Sequence, residues 1–323
     1  MLFHCPFPGH KHGDRKPSLT VTNGDTNRPP FWKCWTCGKQ GNAIRWVMEF
    51  RDVGYEDALR ILKIDHPNQP PLKQELPIHP DNPPAEKWQA RAWKLIERAE
   101  ETLWSESGKD TLTWLRARGL NDASICAARM GFLPKDFADN PKVWGTPNDD
   151  PRPLYFVQGI LIPGVIGSAV WYLKMRPSRP FDGQKYKHVR GGKQALYRAD
   201  TLTNGRPAVF CEGELDANLL AQETRDLADV VTLASATSEL NVTTWGLYLL
   251  RSSRFIVAYD MDEAGWKGAA KLTWLHHSQR LNIPALRAGD KDISDYYRSG
   301  GNLHDLIEGV LSEDARVLPS AIP

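Results

Sequence analysis

Ala208-Val209-Phe210-Cys211-Glu212-Gly213-Glu214-Leu215-Asp216 holds four apolar residues of strand length, then a carboxylate, a glycine, and a stretch that reads as a helix from near Leu215 to Glu223. A strand that ends on an acid and turns through glycine into a helix is where open α/β sheets place their ligands. The pattern returns at Phe255-Ile256-Val257-Ala258-Tyr259-Asp260-Met261-Asp262-Glu263-Ala264-Gly265. Alternation along an extended chain points Asp260 and Asp262 to one side, and a helix follows from about Ala264. Val230-Val231-Thr232-Leu233 supplies another strand, with a helical stretch near Thr243 to Arg251 after it. Strands alternating with helices argue for a largely parallel sheet covered on both faces.

Two acid-bearing strand ends in one sheet make one acidic pocket, and Gly289-Asp290-Lys291-Asp292-Ile293-Ser294-Asp295 can complete it. Carboxylates gathered this densely repel one another unless a hard cation sits among them, and oxygen ligands suit Mg²⁺ or Mn²⁺. Glu212, Asp260 and Asp262 together carry that reading, whereas Asp216 or Asp290 taken alone reads as a helix N-cap. Upstream, Lys174 to Arg206 holds Lys174, Arg176, Arg179, Lys185, Lys187, Arg190, Lys193, Arg198 and Arg206 against only Asp182 and Asp200. That is a local cationic field suited to phosphates.

The N-terminal end has a different chemistry. Cys5-Pro-Phe-Pro-Gly-His10-Lys-His12 and Cys34-Trp-Thr-Cys37-Gly38 form two knuckles laid out as in a zinc ribbon, each giving two ligands to one tetrahedral ion. Cys5, Cys34 and Cys37 are the firm ligands; His10 is the first choice for the fourth and His12 the alternative. Ser18 to Thr22 and Pro30 to Cys34 alternate as strands that bring the second knuckle beside the first, a hairpin too small to fold without its metal. Trp32, Lys33, Trp35, Lys39 and Arg45 surround the second knuckle, and exposed aromatics interleaved with cations stack on bases and neutralise phosphates. The bland reading of Trp32 and Trp35 is that they cover the small ribbon core.

The chain of 323 residues, with 41 Lys and Arg against 39 Asp and Glu, has no apolar run approaching the span of a bilayer. Five cysteines with one Cys-x-x-Cys pair, and no room for a signal peptide before Cys5, imply a reducing, cytoplasmic setting and leave Cys126 and Cys211 as packing residues. The expected organisation is a zinc ribbon with following helices at 1–65, a Pro-rich linker at 66–87, a helical and stranded subdomain at 88–204, the α/β sheet domain at 205–300 and a tail at 301–323. Within it, 88–119 is helical by spacing. Tyr155 to Ile162 and Val170 to Met175 are strands, broken by Pro163-Gly164 and Gly167-Ser168. The fold class is thus multidomain, α/β and α+β.

Glu212-Gly-x-x-Asp216 and Asp260-x-Asp262-x-Ala-Gly265 resemble the two signatures of the Toprim domain. Cys5-Pro-Phe before His10, Asp14-Arg15-Lys16-Pro17-Ser18, and Trp32 through Ile44 resemble the CHC2-type zinc ribbon of DnaG-type primases. Leu115 to Leu120, Met130 to Pro134, and Gln184-Lys185-Tyr186-Lys187-His188 resemble that family's polymerase core, in the same order along the chain. The resemblance implies a primase, a DNA-directed RNA polymerase that makes short primers on a single-stranded DNA template from nucleoside triphosphates by two-metal nucleotidyl transfer. Glu212, Asp260 and Asp262 would be metal ligands, Asp292 would close the pocket, and Arg176, Lys185 and Lys187 would face the incoming triphosphate or template, with Lys185 counted among the catalytic groups. The first knuckle is longer than the usual Cys-x-x-His, and the third acidic motif is nearer the phage pattern. With no fused helicase expected, a replicative helicase acting in trans and an origin in a phage, plasmid or integrated element follow as expectations. A Toprim nuclease and a non-enzymatic zinc/Toprim recombination mediator are the rival readings.

Overall fold

The computed structural model describes residues 2–7, 10, 16–22, 31–62, 81–146, 151–179, 181, 183–275 and 277–315. The chain divides into two compact units, Met1–Pro77 and Ile78–Pro323. His12, Asp14, Arg15 and linker positions 66–80 lie outside the described residues.

The first unit is a four-stranded antiparallel sheet in sequence order, β1 (Leu2–Phe3), β2 (Leu19–Thr22), β3 (Phe31–Cys34) and β4 (Gln40–Gly41), followed by α1 (Ala43–Arg51) and α2 (Tyr55–Leu62). Asn42 starts α1 by accepting a 2.9 Å bond from the Arg45 N–H, which satisfies one of the orphan donors at the helix start. The β2–β3 register sets Leu19 opposite Cys34. Phe7, Leu19 and Trp32 are buried with Cys5 and Cys34 in one small core, too little apolar surface to be stable without a crosslink.

The second unit opens with α3 (Glu86–Leu103), whose Trp88, Ala92, Ile96, Ala99 and Leu103 fall at helical spacing and are all buried. After it come α4 (Lys109–Ala117), α5 (Asp122–Ala127), β5 (Gly131–Leu133), β6 (Phe137–Asp139), α6 (Pro141–Trp144), β7 (Leu154–Phe156), β8 (Gly159–Ile166), β9 (Ala169–Pro177) and β10 (Lys187–His188). The antiparallel sheet β10-β9-β8-β5 is their centre. Pro163-Gly164 does not break β8 as its composition suggests; the strand runs through it with a register shift between Gly164 and Val165. Pro163 is tolerated because β5 pairs β8 only as far as Leu161, so beyond that point β8 is an edge on one side and the missing N–H leaves no bond unmade.

The remaining elements are β11 (Ala208–Cys211), α7 (Glu214–Glu223), β12 (Asp229–Thr232), α8 (Val242–Leu249), β13 (Phe255–Ala258), α9 (Glu263–Ala270), β14 (Ser278–Arg280), α10 (Ile293–Arg298) and α11 (Leu303–Ala315). All strand pairs in the sheet β12-β11-β13-β14 are parallel. β14, Ser-Gln-Arg, carries no apolar residue to mark it as a strand in the sequence. Cys211 is level with both Thr232 and Ala258, so β11 and β13 release Glu212 and Asp260 side by side at their C-terminal ends. One core joins Phe132, Ile160 and Ile162 to Val209, Ile256 and the inner face of α7, with Leu303 and Ile307 of α11 buried in it too. Among the described residues no helix is long and apolar enough to cross a membrane.

Candidate active site

The register of β11 and β13 brings together carboxylates that lie far apart in sequence. Carboxylate oxygens of Asp216, Asp260 and Asp292 lie within 4.8 Å of one another. Asp216 reaches them from the first turn of α7, which begins directly after Glu212 and the N-cap Gly213. It accepts a 3.2 Å bond from the Ser294 N–H and a second from the Ser294 hydroxyl. Asp292 caps α10 through the Asp295 N–H at 2.6 Å. Reading Asp216 as a mere helix cap misses this: the four-residue offset from Glu212 was the signal.

Glu212 is half-buried beside the triad, and its Oε2 is buried without a hydrogen-bond donor among the described residues. Burial first, and then the Asp262 charge, pushes its carboxyl above the usual range. Asp260 goes further, to about 7, through burial and then the charges of Glu212, Asp216 and Asp292. Asp216 is raised by burial and by Asp292, against the opposing pull of the Ser294 hydroxyl, Arg118 and Lys185.

Asp262 departs from its expected place. It caps α9 by accepting from the Gly265 N–H at 3.0 Å, and it pairs with Lys291 Nζ at 2.7 Å. That hydrogen bond holds its carboxyl below the usual range. Lys291 also lies 3.6 Å from Asp260, so its ammonium spans the two acids. Asp290 is a structural cap, accepting from Leu286, Arg287 and Ser299.

The cationic field is sorted by the fold. Lys174 is not part of it: the ammonium is buried and paired with Glu214 at 2.7 Å. Arg176 stacks over Trp114 at 4.9 Å and donates to the Tyr186 hydroxyl at 3.1 Å. Arg118 also stacks on Trp114, at 5.1 Å, and Lys185 is exposed beside Tyr186. Lys187 lies apart from these, over Phe181 at 4.3 Å and Tyr155 at 5.4 Å. A cavity of about 300 Å³ opens beside Trp114 and Arg176. No sequence motif marks Trp114, which is partly buried and lies between the core positions Leu112 and Leu115 of α4.

In the first unit, Cys5, His10, Cys34 and Cys37 place their ligand atoms within 4.8 Å of one another. Cys5 Sγ is 3.8 Å from Cys37 Sγ, and Cys34 Sγ is 3.6 Å from His10 Nε2. A tetrahedron with zinc–sulfur bonds of about 2.3 Å has edges of about 3.8 Å, so the four donors fit zinc as they stand. Burial raises the Cys34 thiol, but donors from Cys37, Ser18 and Thr36 outweigh it and bring the thiol down to about 6, a ready thiolate.

The surface around that centre differs from expectation at Trp32, which is only 4% exposed, stacks on Phe7 at 5.0 Å and donates to the Asn42 carbonyl at 2.8 Å. It belongs to the core, with no face left for a base. Trp35 is 67% exposed, with Lys33 Nζ 4.2 Å from its ring centre. Lys39 is tied to Glu49 at 2.7 Å.

Residues 2–73 match the CHC2 zinc finger family of DnaG-type ribbons. The full architecture is similar to the zinc-binding and RNA polymerase domains of the Aquifex aeolicus primase, at 18% identity and a TM-score of 0.52 over 94% of this chain and 83% of that one. The chain thus carries a CHC2-type ribbon at its N-terminal end and shares the fold of primase zinc-binding and polymerase domains. Among primase sequences, that of Listeria innocua is 24% identical over 92% of this chain and 51% of its own length, and that of Helicobacter pylori is 25% identical over 92% and 54%. The chain thus spans about half the length of the curated relatives it matches. A DnaG primase catalytic domain solved with single-stranded DNA has a TM-score of 0.54 at 17% identity, over 74% of this chain and 88% of that one. As a DnaG-type ribbon, the first unit holds a structural zinc.

Proposed function

We propose that the chain is a DNA primase, which extends a short RNA primer on single-stranded DNA by attack of a 3′-hydroxyl on the α-phosphate of a nucleoside triphosphate. The observation that carries this reading is the convergence of Asp216, Asp260 and Asp292, from three separate elements, to within 4.8 Å, with the orphaned Oε2 of Glu212 beside them. Like charges at that spacing need a cation, and the oxygen donors fit Mg²⁺ or Mn²⁺. Glu212, Asp216, Asp260 and Asp292 would hold the divalent ions, with Asp262 contributing from its capping position. Bound there, such ions lower the pKa of the attacking hydroxyl and neutralise triphosphate charge.

The chain's own groups supply the rest. Arg176 is oriented by Trp114 and Tyr186 and, with the exposed Lys185, meets phosphate oxygens, where a charge-assisted bond is stronger than a neutral one. Lys187, farther out over Phe181, serves the approaching strand. Asp260, whose carboxyl titrates near neutrality, can hold a proton at its carboxylate until the cation arrives. Trp35 and Lys33 on the ribbon offer a stacking face with a positive charge, suited to a single-stranded base. A relative solved with single-stranded DNA supports that choice of template, and a replicative helicase recruited in trans belongs to the same reading.

The test is incubation with single-stranded DNA, Mg²⁺ or Mn²⁺ and labelled nucleotides. Elongated products are expected from the wild type, and none from Glu212→Gln, with DNA binding retained. Fragments in place of products would make the chain a nuclease, and a mobility shift alone would make it a mediator.

A further inference from the structure

Lys174 and Glu214 form a buried ion pair at 2.7 Å, with side chains 3% and 1% exposed. The Tyr172 hydroxyl donates to Glu214 at 3.0 Å, Lys174 makes a second donation to the Ala234 carbonyl at 2.9 Å, and Asn218 donates to the Glu214 carbonyl at 2.8 Å. Every partner is satisfied, which is the condition for a buried polar network to specify one arrangement. Stability alone does not account for such a pair, because an apolar pair of the same volume does as well or better.

Its position does. Glu214 is the first residue of α7, between Glu212 and Asp216. Lys174 lies on β9, two residues before Arg176, with Nζ 4.2 Å from the ring centre of Tyr186, the same ring whose hydroxyl accepts from Arg176. The pair therefore ties the turn that carries the acids to the strand that carries the cations.

We propose that Lys174 and Glu214 are positioning residues that fix the separation between the divalent-ion pocket and the groups that receive the triphosphate. This deepens the primase reading and rests on it. The double variant Lys174→Met/Glu214→Gln keeps the volume, leaves the Gln carbonyl to accept from Tyr172, and removes both charges together with the Lys174 donation to the Ala234 carbonyl. It is expected to melt close to the wild type and to bind single-stranded DNA equally well. Its half-saturating Mn²⁺ concentration, read by electron paramagnetic resonance without nucleotide, should rise about tenfold or more, the usual effect of removing a group that orients metal ligands. The KM for nucleotide should rise with it.

Unchanged Mn²⁺ affinity and KM in a folded double variant would overturn the proposal and leave the pair a packing device. Should that variant not fold, Tyr172→Phe decides, since it deletes a single donor to Glu214. A rise of about threefold in half-saturating Mn²⁺ is expected, and no change overturns the proposal. Wild-type protein that binds no Mn²⁺ at all would instead defeat the primase reading itself.

Discussion

Asp260 and Asp262 stand two residues apart and are shifted in opposite directions, because Asp260 is buried among carboxylates whereas Asp262 is hydrogen-bonded to the Lys291 ammonium. Asp260, raised to about 7 by burial and its neighbours, binds a proton in the folded state that the unfolded chain has already released. An acid whose folded pKa is raised weakens the fold as pH climbs from its unfolded value through its folded one. Without divalent ions, the melting temperature of the second unit should therefore fall between about pH 4 and pH 7. Added Mg²⁺ should raise it more at pH 7.5 than at pH 5; equal shifts at both would contradict the assignment. The two ribbon tryptophans diverge as sharply. Trp32→Ala, which empties part of a small core, should cost about 3–5 kcal/mol and with it zinc retention. Trp35→Ala should leave zinc and fold intact and weaken single-stranded DNA binding by about 1–3 kcal/mol, read by fluorescence anisotropy. The distinction was present in the sequence: alternation along β3 sends Trp32 inward with the zinc ligand Cys34, while Trp35 lies past the strand end. What was not present is the paired state of Lys174 and Lys39, since a list of cations does not reveal which of them meets a carboxylate.

At the scale of elements, the acidic pocket depends on how closely α9 begins beside β13. A Cβ added to Gly265 would lie 2.1 Å from the Asp260 carbonyl oxygen, so Gly265→Ala must shift the turn that carries both Asp260 and Asp262. A displacement of about 1 Å at reacting groups costs on the order of 10²-fold in rate. That loss in primer synthesis is expected with zinc content unchanged, and near-normal synthesis would show that the turn adapts. β11, β12 and β13 could be read from sequence because each is an apolar run of strand length. β14 could not, since at the sheet edge it needs only backbone pairing to β13. Pro163-Gly164 misled for a related reason, because whether proline breaks a strand depends on which neighbour is present at that level, a fact of topology and not of composition.

For the whole molecule, the order of motifs along the chain was the strongest guide, since it ties ribbon, core and acidic sheet into one architecture that no single motif identifies. The two units differ in what holds them. The first depends on four metal ligands around a handful of apolar residues, the second on extended cores that include Leu303 and Ile307 of α11. Zinc chelation is expected to abolish the circular dichroism and cooperative melting of the first unit and to leave the melting of the second in place; a single joint transition lost on chelation would argue against this. Lys291 adds a last consequence. Its ammonium, 2.7 Å from Asp262 and 3.6 Å from Asp260, is a counterweight to the acids that the polypeptide carries by covalent attachment, and unlike a metal ion it cannot be dialysed away.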